Sequence, residues 1–334
     1  MIAFESVVIA LTVYYKSRIM HESLSNMMIS SMEYRKLAYS SPDELDSIPT
    51  WLGIANTIVK AAGYWFAYII FNNRFNAKHN EPSCIVIVLL SIISSLLGGG
   101  RGGAIDLIIC MFVFYIICIY RKNKSYRIIS ITPFLRIFVV ALIIIFTFQM
   151  LGDFVGRVST LSLMDYLAEY FGAEIVNLDI FLEDPSPRNE IWGNQTFIYL
   201  VKMIGPHIGL DASYYLLDQP FHFNNGYNLG NVATTFYSFI YDFGYWGVFY
   251  LTTAMAITSQ LLYEHILKNN FTVRSFHLLI YAYVYATLIL SFFSNKFYEK
   301  LFSKGFLVLA FVWLFFDICF TNRNKQKTVV TPEA

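Results

Sequence analysis

Charge is what this sequence has least of. Asp, Glu, Lys and Arg together make up 14% of its 334 residues, against about 25% in a soluble domain. A chain this poor in charge cannot clothe a water-facing surface. That excludes an ordinary cytosolic enzyme and a disordered, solvated chain. Cysteine is scarce as well. Cys84, Cys110, Cys118 and Cys319 are the four present. All lie in apolar runs without metal-ligand spacing, which excludes a disulfide-stapled secreted scaffold and reads as reduced thiols in a core or against lipid. Neither sign of charge predominates: 24 basic and 23 acidic residues leave a net charge of +1, too little for bulk attraction to nucleic acid. Met1–Tyr15 has no leading Lys or Arg, carries Glu5, and is not followed by a small-residue cleavage site. It does not read as a removable signal peptide.

What is present is apolar. Hydrophobic residues are 56% and aromatics 18% of the chain, with a mean hydropathy of +0.51. These are the proportions of an integral membrane protein. Apolar runs of about 17–25 residues can cross a bilayer. The sequence offers eight: Ile2–Tyr15 (short), Trp51–Phe71, Ser83–Gly100, Ala104–Tyr120, Phe134–Leu151, Phe243–Tyr263, Phe276–Phe293 and Gly305–Phe320. In hydrocarbon each must be a helix, because every backbone amide needs an internal partner. The expected class is an all-α, polytopic helical bundle forming a single membrane domain, with one large loop over residues 152–242.

Lys and Arg collect in short cytoplasmic loops. Arg74 with Lys78, Arg121–Arg127, Lys268 with Arg274, and Arg323–Lys327 fall on one side when the spans alternate. That side reads as cytoplasmic, with both termini. The other side receives the loop Lys16–Thr50, a glycine turn at Arg101, and the stretch Gly152–Asp242. Within that stretch Leu161, Met164, Ala168 and Phe171 recur at helical spacing, with Asp165 and Glu169 on the other face. They predict an amphipathic helix over Thr160–Phe171, at the interface or capping the bundle. Leu200, Val201 and Ile204 predict a second short helix stopped by Gly205-Pro206.

Two segments carry chemistry. Leu97-Gly-Gly-Gly-Arg101-Gly-Gly103 stands between two spans. It lacks the Lys-Ser/Thr of a nucleotide-binding loop and no strand precedes it. As a plain turn it would place an arginine at the headgroups. As a site, its glycines let backbone amides and Arg101 approach an anion, for which a guanidinium is suited. Asp106 lies about one turn further, an intramembrane carboxylate that needs a partner. Arg101 is the nearest candidate. The second segment runs from Asn228 to Gly247. Its Asp242-Phe-Gly triplet is a chance match to a kinase motif, since no other kinase signature is present. Two other intramembrane charges are Lys60 and Asp317; Lys60, mid-span, is expected to face the bundle or a lipid-headgroup cavity. The nearest metal-like pair, Glu264 and His265, sits at the cytoplasmic end of a span, so no metal is expected.

The Asn231-Val…Thr-Thr-Phe-Tyr…Asp242-Phe-Gly…Gly247 stretch resembles the signature of bacterial O-antigen polymerases, the Wzy-type oligosaccharide repeat-unit polymerases. Gly100-Arg101-Gly102 resembles that family's glycine–arginine turn. Tyr170-Phe-Gly-Ala…Asn177-Leu-Asp179 and Gly193-Asn-Gln-Thr196-Phe197 resemble its outer-loop segments. The resemblance covers roughly Ser83 to the C-terminus. Family members usually have more spans than the eight counted here, so the resemblance implies an N-terminal segment missing from this sequence, in nature or by choice of start site, and leaves the N-terminal topology outside it. The resemblance implies a fold of the membrane glycosyltransferase (GT-C-like) class in the bacterial inner membrane, with a periplasmic active face. It implies transfer of a glycan from undecaprenyl pyrophosphate to the non-reducing end of a new lipid-linked repeat unit, without a nucleotide sugar or other cofactor. A chain-length regulator protein is an implied partner.

That reaction needs cations at the leaving pyrophosphate, and Arg101, Arg157 and Arg188 are the candidates. The acceptor hydroxyl needs a base. His207 comes first and Asp242 second, with Glu190 and His222 as alternatives. Trp192, Tyr214, Tyr227 and Tyr237 could stack on sugar rings, or serve as interface anchors like many membrane-protein aromatics. The competing functions are an O-antigen ligase, and, in another class, a lipid-linked oligosaccharide flippase, which should show repeat halves or a polar pathway along several helices.

Overall fold

The computed structural model describes residues 1–21, 33–34, 48–77, 81–123, 162–183, 185, 192–210, 222–224, 227–269 and 274–328. They are predominantly helical. The helices are α1 (Ile2–Met20), α2 (Thr50–Asn72), α3 (Pro82–Leu96), α4 (Gly102–Asn123), α5 (Leu163–Glu183), α6 (Ile198–Ile204), α7 (Thr235–Phe243), α8 (Tyr245–Asn269), α9 (Ser275–Ile289), α10 (Lys296–Leu301) and α11 (Lys304–Thr328). One antiparallel hairpin pairs β1 (His222–Asn224) with β2 (Tyr227–Gly230). Three stretches among the described residues are long and apolar enough to cross a membrane: Thr50–Phe75, Gly102–Arg121 and Ser275–Phe292. Pro82–Leu96 is a shorter apolar helix. The expected span Phe134–Leu151 lies outside the described residues.

The core is a packing of α2 against α3, α4, α9 and α11. Between apolar helices in lipid the drive is dispersion and hydrogen bonding rather than water exclusion, so close approach matters. A Cβ on Gly63 of α2 would lie 2.5 Å from the Ser91 Cβ of α3; only a glycine lets the two helices come this near. Tyr64, Tyr283 and Trp313 form an edge-to-face trio with centroids 5.5–5.9 Å apart, a preferred aromatic geometry. The Trp313 indole donates to the Ala61 carbonyl at 3.0 Å, tying α11 to α2.

The two ends of the bundle differ. At one end Phe71 and Phe75 meet Tyr115, Tyr68 interacts with Arg121 and Ser275, and Arg274 reaches the buried Asp317 at 4.0 Å. Arg121 and Arg274, two of the basic residues expected on one side, thus share this end. Lys60, expected to face the bundle or a headgroup cavity, is exposed on the flank of α2 and so does not face the bundle; its flexible stem can carry the ammonium toward a more polar level. At the other end, the glycine-turn end, α1, α2 and α3 are joined by a polar contact: Asn56 Nδ2 donates to Thr12 Oγ1 at 2.9 Å and Ser94 Oγ to Asn56 Oδ1 at 3.2 Å.

The amphipathic helix is longer than its sequence pattern suggested. It starts at Leu163 and runs on through Gly172 to Glu183, and it buries Ala173, Glu174 and Asn177, which lie off the Met164–Ala168–Phe171 stripe that the sequence pattern marked as the apolar face. Its opposite stripe, including Met164, Phe171 and Ile175, is exposed. The second short helix is α6, and Gly205-Pro206 opens a 3₁₀ turn at its end.

Candidate functional site

The glycine turn reverses the chain between α3 and α4. Gly98 and Gly99 donate back to Ser95 and Leu96 at 3.2 and 3.0 Å, and Gly99 adopts φ 77°, a left-handed conformation that glycine takes without strain. Arg101 follows, and its carbonyl accepts the Ile105 amide at 3.0 Å. Arg101 therefore stands at the start of α4, where helix amides present partial positive charge. A Cβ on Gly103 would sit 3.2 Å from the Ser95 Cβ, so the turn is pressed against α3. The Arg101 side chain is buried.

Two further cations come to this turn from distant parts of the chain. Lys16, at the end of α1, donates to the Leu97 carbonyl. Lys300 of α10 pairs with Asp106 at 2.5 Å. The ion pair found for Asp106 is thus with Lys300, 194 residues away in sequence, where sequence proximity had suggested Arg101. Asp106 also interacts electrostatically with the Tyr64 and Tyr283 phenols. Lys16 and Arg101 thus stand at the turn, and Lys300 stands with Asp106 of the helix that follows it, all of them with little exposure. In low-dielectric surroundings a cation acts on an anion far more strongly than it would in water.

Asp242 lies in a separate knot of hydrogen bonds at the same end. Its two carboxylate oxygens accept the Gln195 and Thr196 amides at 3.2 and 2.6 Å. Thr196 Oγ1 donates to the Ser238 carbonyl at 3.0 Å, and Asn295 Nδ2 donates to the Thr196 carbonyl at 2.8 Å. Thr235 Oγ1 meets Asn295 Oδ1 at 3.5 Å. Burial raises the Asp242 pKa, opposed by its hydrogen bonds from Thr196 and Gln195. With both oxygens engaged by backbone, Asp242 fastens the turn around residue 195 to α7. α5 joins the assembly through Asn177, whose Nδ2 donates to the Leu229 and Val232 carbonyls at 2.9 and 2.7 Å.

Comparison with family models, with curated proteins and with solved structures finds no match to this chain. His207 is exposed in the 3₁₀ turn Gly205–Ile208. Trp192 is 79% exposed and meets Phe243 edge-to-face at 4.7 Å; such exposure suits an interface anchor. Tyr237 packs on Phe181 at 4.6 Å, and burial pushes its hydroxyl up to about 12. Tyr227 is in β2, opposite Asn224. Arg157 and Arg188 lie outside the described residues, as do Tyr214 and Glu190. Among the described residues no group of three or more His, Cys, Asp or Glu gathers to hold a metal ion.

Sequence reasoning missed Lys16, Lys300 and Glu174. For Lys300 a signal existed. Lys296, Lys300 and Lys304 stand in the connection after Phe293, on the side that the orientation rule leaves poor in lysine. Glu174 is fully buried on α5, and burial pushes its carboxyl up to about 7.

Proposed function

We propose that this chain is a lipid-linked oligosaccharide polymerase. It transfers a growing glycan from undecaprenyl pyrophosphate to the non-reducing end of a new lipid-linked repeat unit, building O-antigen or a similar surface polysaccharide. One observation supports this most: at the glycine turn Lys16 donates to the Leu97 carbonyl beside the buried Arg101, and Lys300 pairs with Asp106 in the helix that the turn opens. A diphosphate leaving group needs such a place, where charge develops away from water. In this reading the chain spans the bacterial inner membrane eight times as a GT-C-like bundle with residues 152–242 on the periplasmic face. The lipid-linked oligosaccharides are both donor and acceptor, and a chain-length regulator is a partner.

In the reaction the acceptor hydroxyl attacks the anomeric carbon of the donor glycan. A new C–O bond forms as the bond to pyrophosphate breaks, and the electron pair leaves with undecaprenyl pyrophosphate toward the cations of the turn. The proton of the hydroxyl passes to a base. His207 is the free-standing choice, because Asp242 holds backbone amides with both oxygens.

The flippase reading is favoured by a different observation. A polar seam runs along α1, α2 and α3: Ser91 Oγ meets the buried Glu5 carboxylate at 3.4 Å and donates to the Val59 carbonyl at 2.8 Å, and Thr12, Asn56 and Ser94 continue it. Deleting the gene in its host and staining lipopolysaccharide on a gel separates the two. Loss of a polymerase leaves lipid A-core carrying one repeat unit and no ladder. Loss of a flippase or a ligase removes the single unit too. An unchanged ladder refutes all three.

A further inference from the structure

A carboxylate taken out of water needs a cation or several hydrogen bonds to stay ionised; without them it is held only as the neutral acid. Glu174 stands in such a place. It is 1% exposed, and its Oε2 has no hydrogen-bond partner. It also lies between the contacts by which α5 is docked. One turn before it, Phe171 stacks on Phe292 at 5.6 Å. One turn after it, Asn177 Nδ2 donates to the Leu229 and Val232 carbonyls at 2.9 and 2.7 Å. Two turns after it, Phe181 packs on Tyr237 at 4.6 Å and on Tyr241 at 6.2 Å. The carboxyl is therefore enclosed in an interface that holds α5 on both sides of it.

The elements that hold it bring no cation. α5 packs on β2 and α7. Neither β2, nor α7, nor α5 itself contains a Lys, Arg or His. The 3₁₀ turn Leu290–Phe292, which supplies Phe292, has no titratable side chain. β1, paired with β2, carries His222, which is exposed. The titratable side chains of β2 and α7 are Tyr227, Tyr237, Tyr241 and Asp242, and both Asp242 oxygens already accept the Gln195 and Thr196 amides. The other charged residues of α5 are Asp165, Glu169, Asp179 and Glu183. Every charged group on α5, β2 and α7 thus has the same sign as an ionised Glu174.

We propose that α5 is a proton latch: it docks on β2 and α7 while the Glu174 carboxyl is neutral, and it is released when that carboxyl gives its proton to water. On release the Leu229 and Val232 carbonyls lose Asn177, and Tyr237 loses Phe181, so the strand that leads into α7 loses its brace. Burial pushes the Glu174 carboxyl from 4.5 up to about 7, which sets the working range. Docking carries no penalty below about pH 4.5, an increasing one as pH rises toward 7, and a constant one above it. The latch stands apart from the polymerase reading and holds whatever the glycine turn binds. A buried water bonded to the carboxylate is the competing account; it would let Glu174 ionise in place without moving α5.

The test is hydrogen exchange read by mass spectrometry on the full chain in lipid nanodiscs, at pH 5 and pH 8, with protection expressed relative to the intrinsic exchange rate at each pH. In the wild type, protection of Leu163–Glu183 is expected to fall on the order of a hundredfold from pH 5 to pH 8, while Thr50–Asn72 of α2 keeps its own. Glu174→Gln removes the proton equilibrium, and its α5 protection is expected to be the same at both pH values. Glu174→Met serves the same purpose should the glutamine variant fold poorly, because the readout is the ratio between the two pH values and not the absolute protection. Asn177→Ala is expected to lower α5 protection about tenfold at both pH values and to keep the pH dependence. Protection of α5 that does not change with pH in the wild type would show that Glu174 ionises in place, and would overturn the latch. So would a pH dependence that survives in both Glu174 variants, or a loss of protection that α2 shares, which would be unfolding of the whole bundle.

Discussion

Lys268 and Arg274, at one end of the bundle, keep 75% and 63% of their side chains exposed, and each has an acidic partner. At the glycine-turn end Lys300 keeps 21%, and Lys16 and Arg101 are buried. The two ends therefore use the same charged groups differently. An exposed pair such as Lys268–Glu264 adds little to stability, because water and salt screen it. A buried cation is held at a desolvation cost that its partners only partly offset. Counting basic residues per loop orients the chain, but burial is what marks the glycine-turn end as a place where charge has work beyond orientation.

Breaking the buried pair should have the largest effect. Lys300→Met leaves Asp106 buried without its cation and should lower stability by about 3 kcal/mol or more, read as a fall in melting temperature. Lys268→Met at the exposed pair should leave the melt unchanged, and equal effects would erase the contrast between the ends. Arg101→Ala should lower polymer formation about a hundredfold with the membrane level of the protein unchanged, whereas Arg274→Ala should leave the ladder intact. Full activity in Arg101→Lys would refute bidentate phosphate binding. A packing control is smaller. Gly63→Ala drives a methyl to within 2.5 Å of Ser91 and should cost about 1–3 kcal/mol; at Gly53 nothing lies within 4 Å of a Cβ, and Ala should be tolerated.

The smallest effect is a slope with pH. Burial raises Glu174 from its ordinary 4.5 to about 7, so the folded chain holds this proton more tightly than the unfolded one. The penalty is absent below about pH 4.5, grows as pH rises toward 7, and is constant above it. Thermal melts across that window should fall with rising pH, and Glu174→Gln should flatten the slope. Glu264, held below its ordinary value by hydrogen bonds from Lys268 and Gln260, acts with the opposite sign: its stabilisation is lost as pH falls through its depressed pKa. Its exposure makes that loss too small to oppose the Glu174 slope visibly.

The helices of the bundle were legible because their signal is local. Trp51–Phe71 in the sequence is Thr50–Asn72 in the structure, and Ala104–Tyr120 is Gly102–Asn123. Ser83–Gly100 ends early, at Leu96, because three successive glycines favour a turn over a helix end buried in lipid. The candidate site was legible only in part. Arg101 announces itself through its glycines. Its companions do not: Lys16, Lys300 and Asn295 reach it or the neighbouring knot from segments about 80 to 190 residues away, and no spacing rule spans such distances. The hairpin at His222–Gly230 was missed for another reason. Its strands are three and four residues long, too short to show an alternating pattern.

The bond from Trp313 to the Ala61 carbonyl joins residues 252 positions apart. During synthesis α2 enters the bilayer long before α11 has been translated. Until then the flank of α2 that Trp313 will cover can meet only lipid or a chaperone, so this part of the bundle cannot close before α11 arrives. A nascent chain stalled short of Trp313 would carry every residue of the glycine turn and still lack the strut that holds α2 upright.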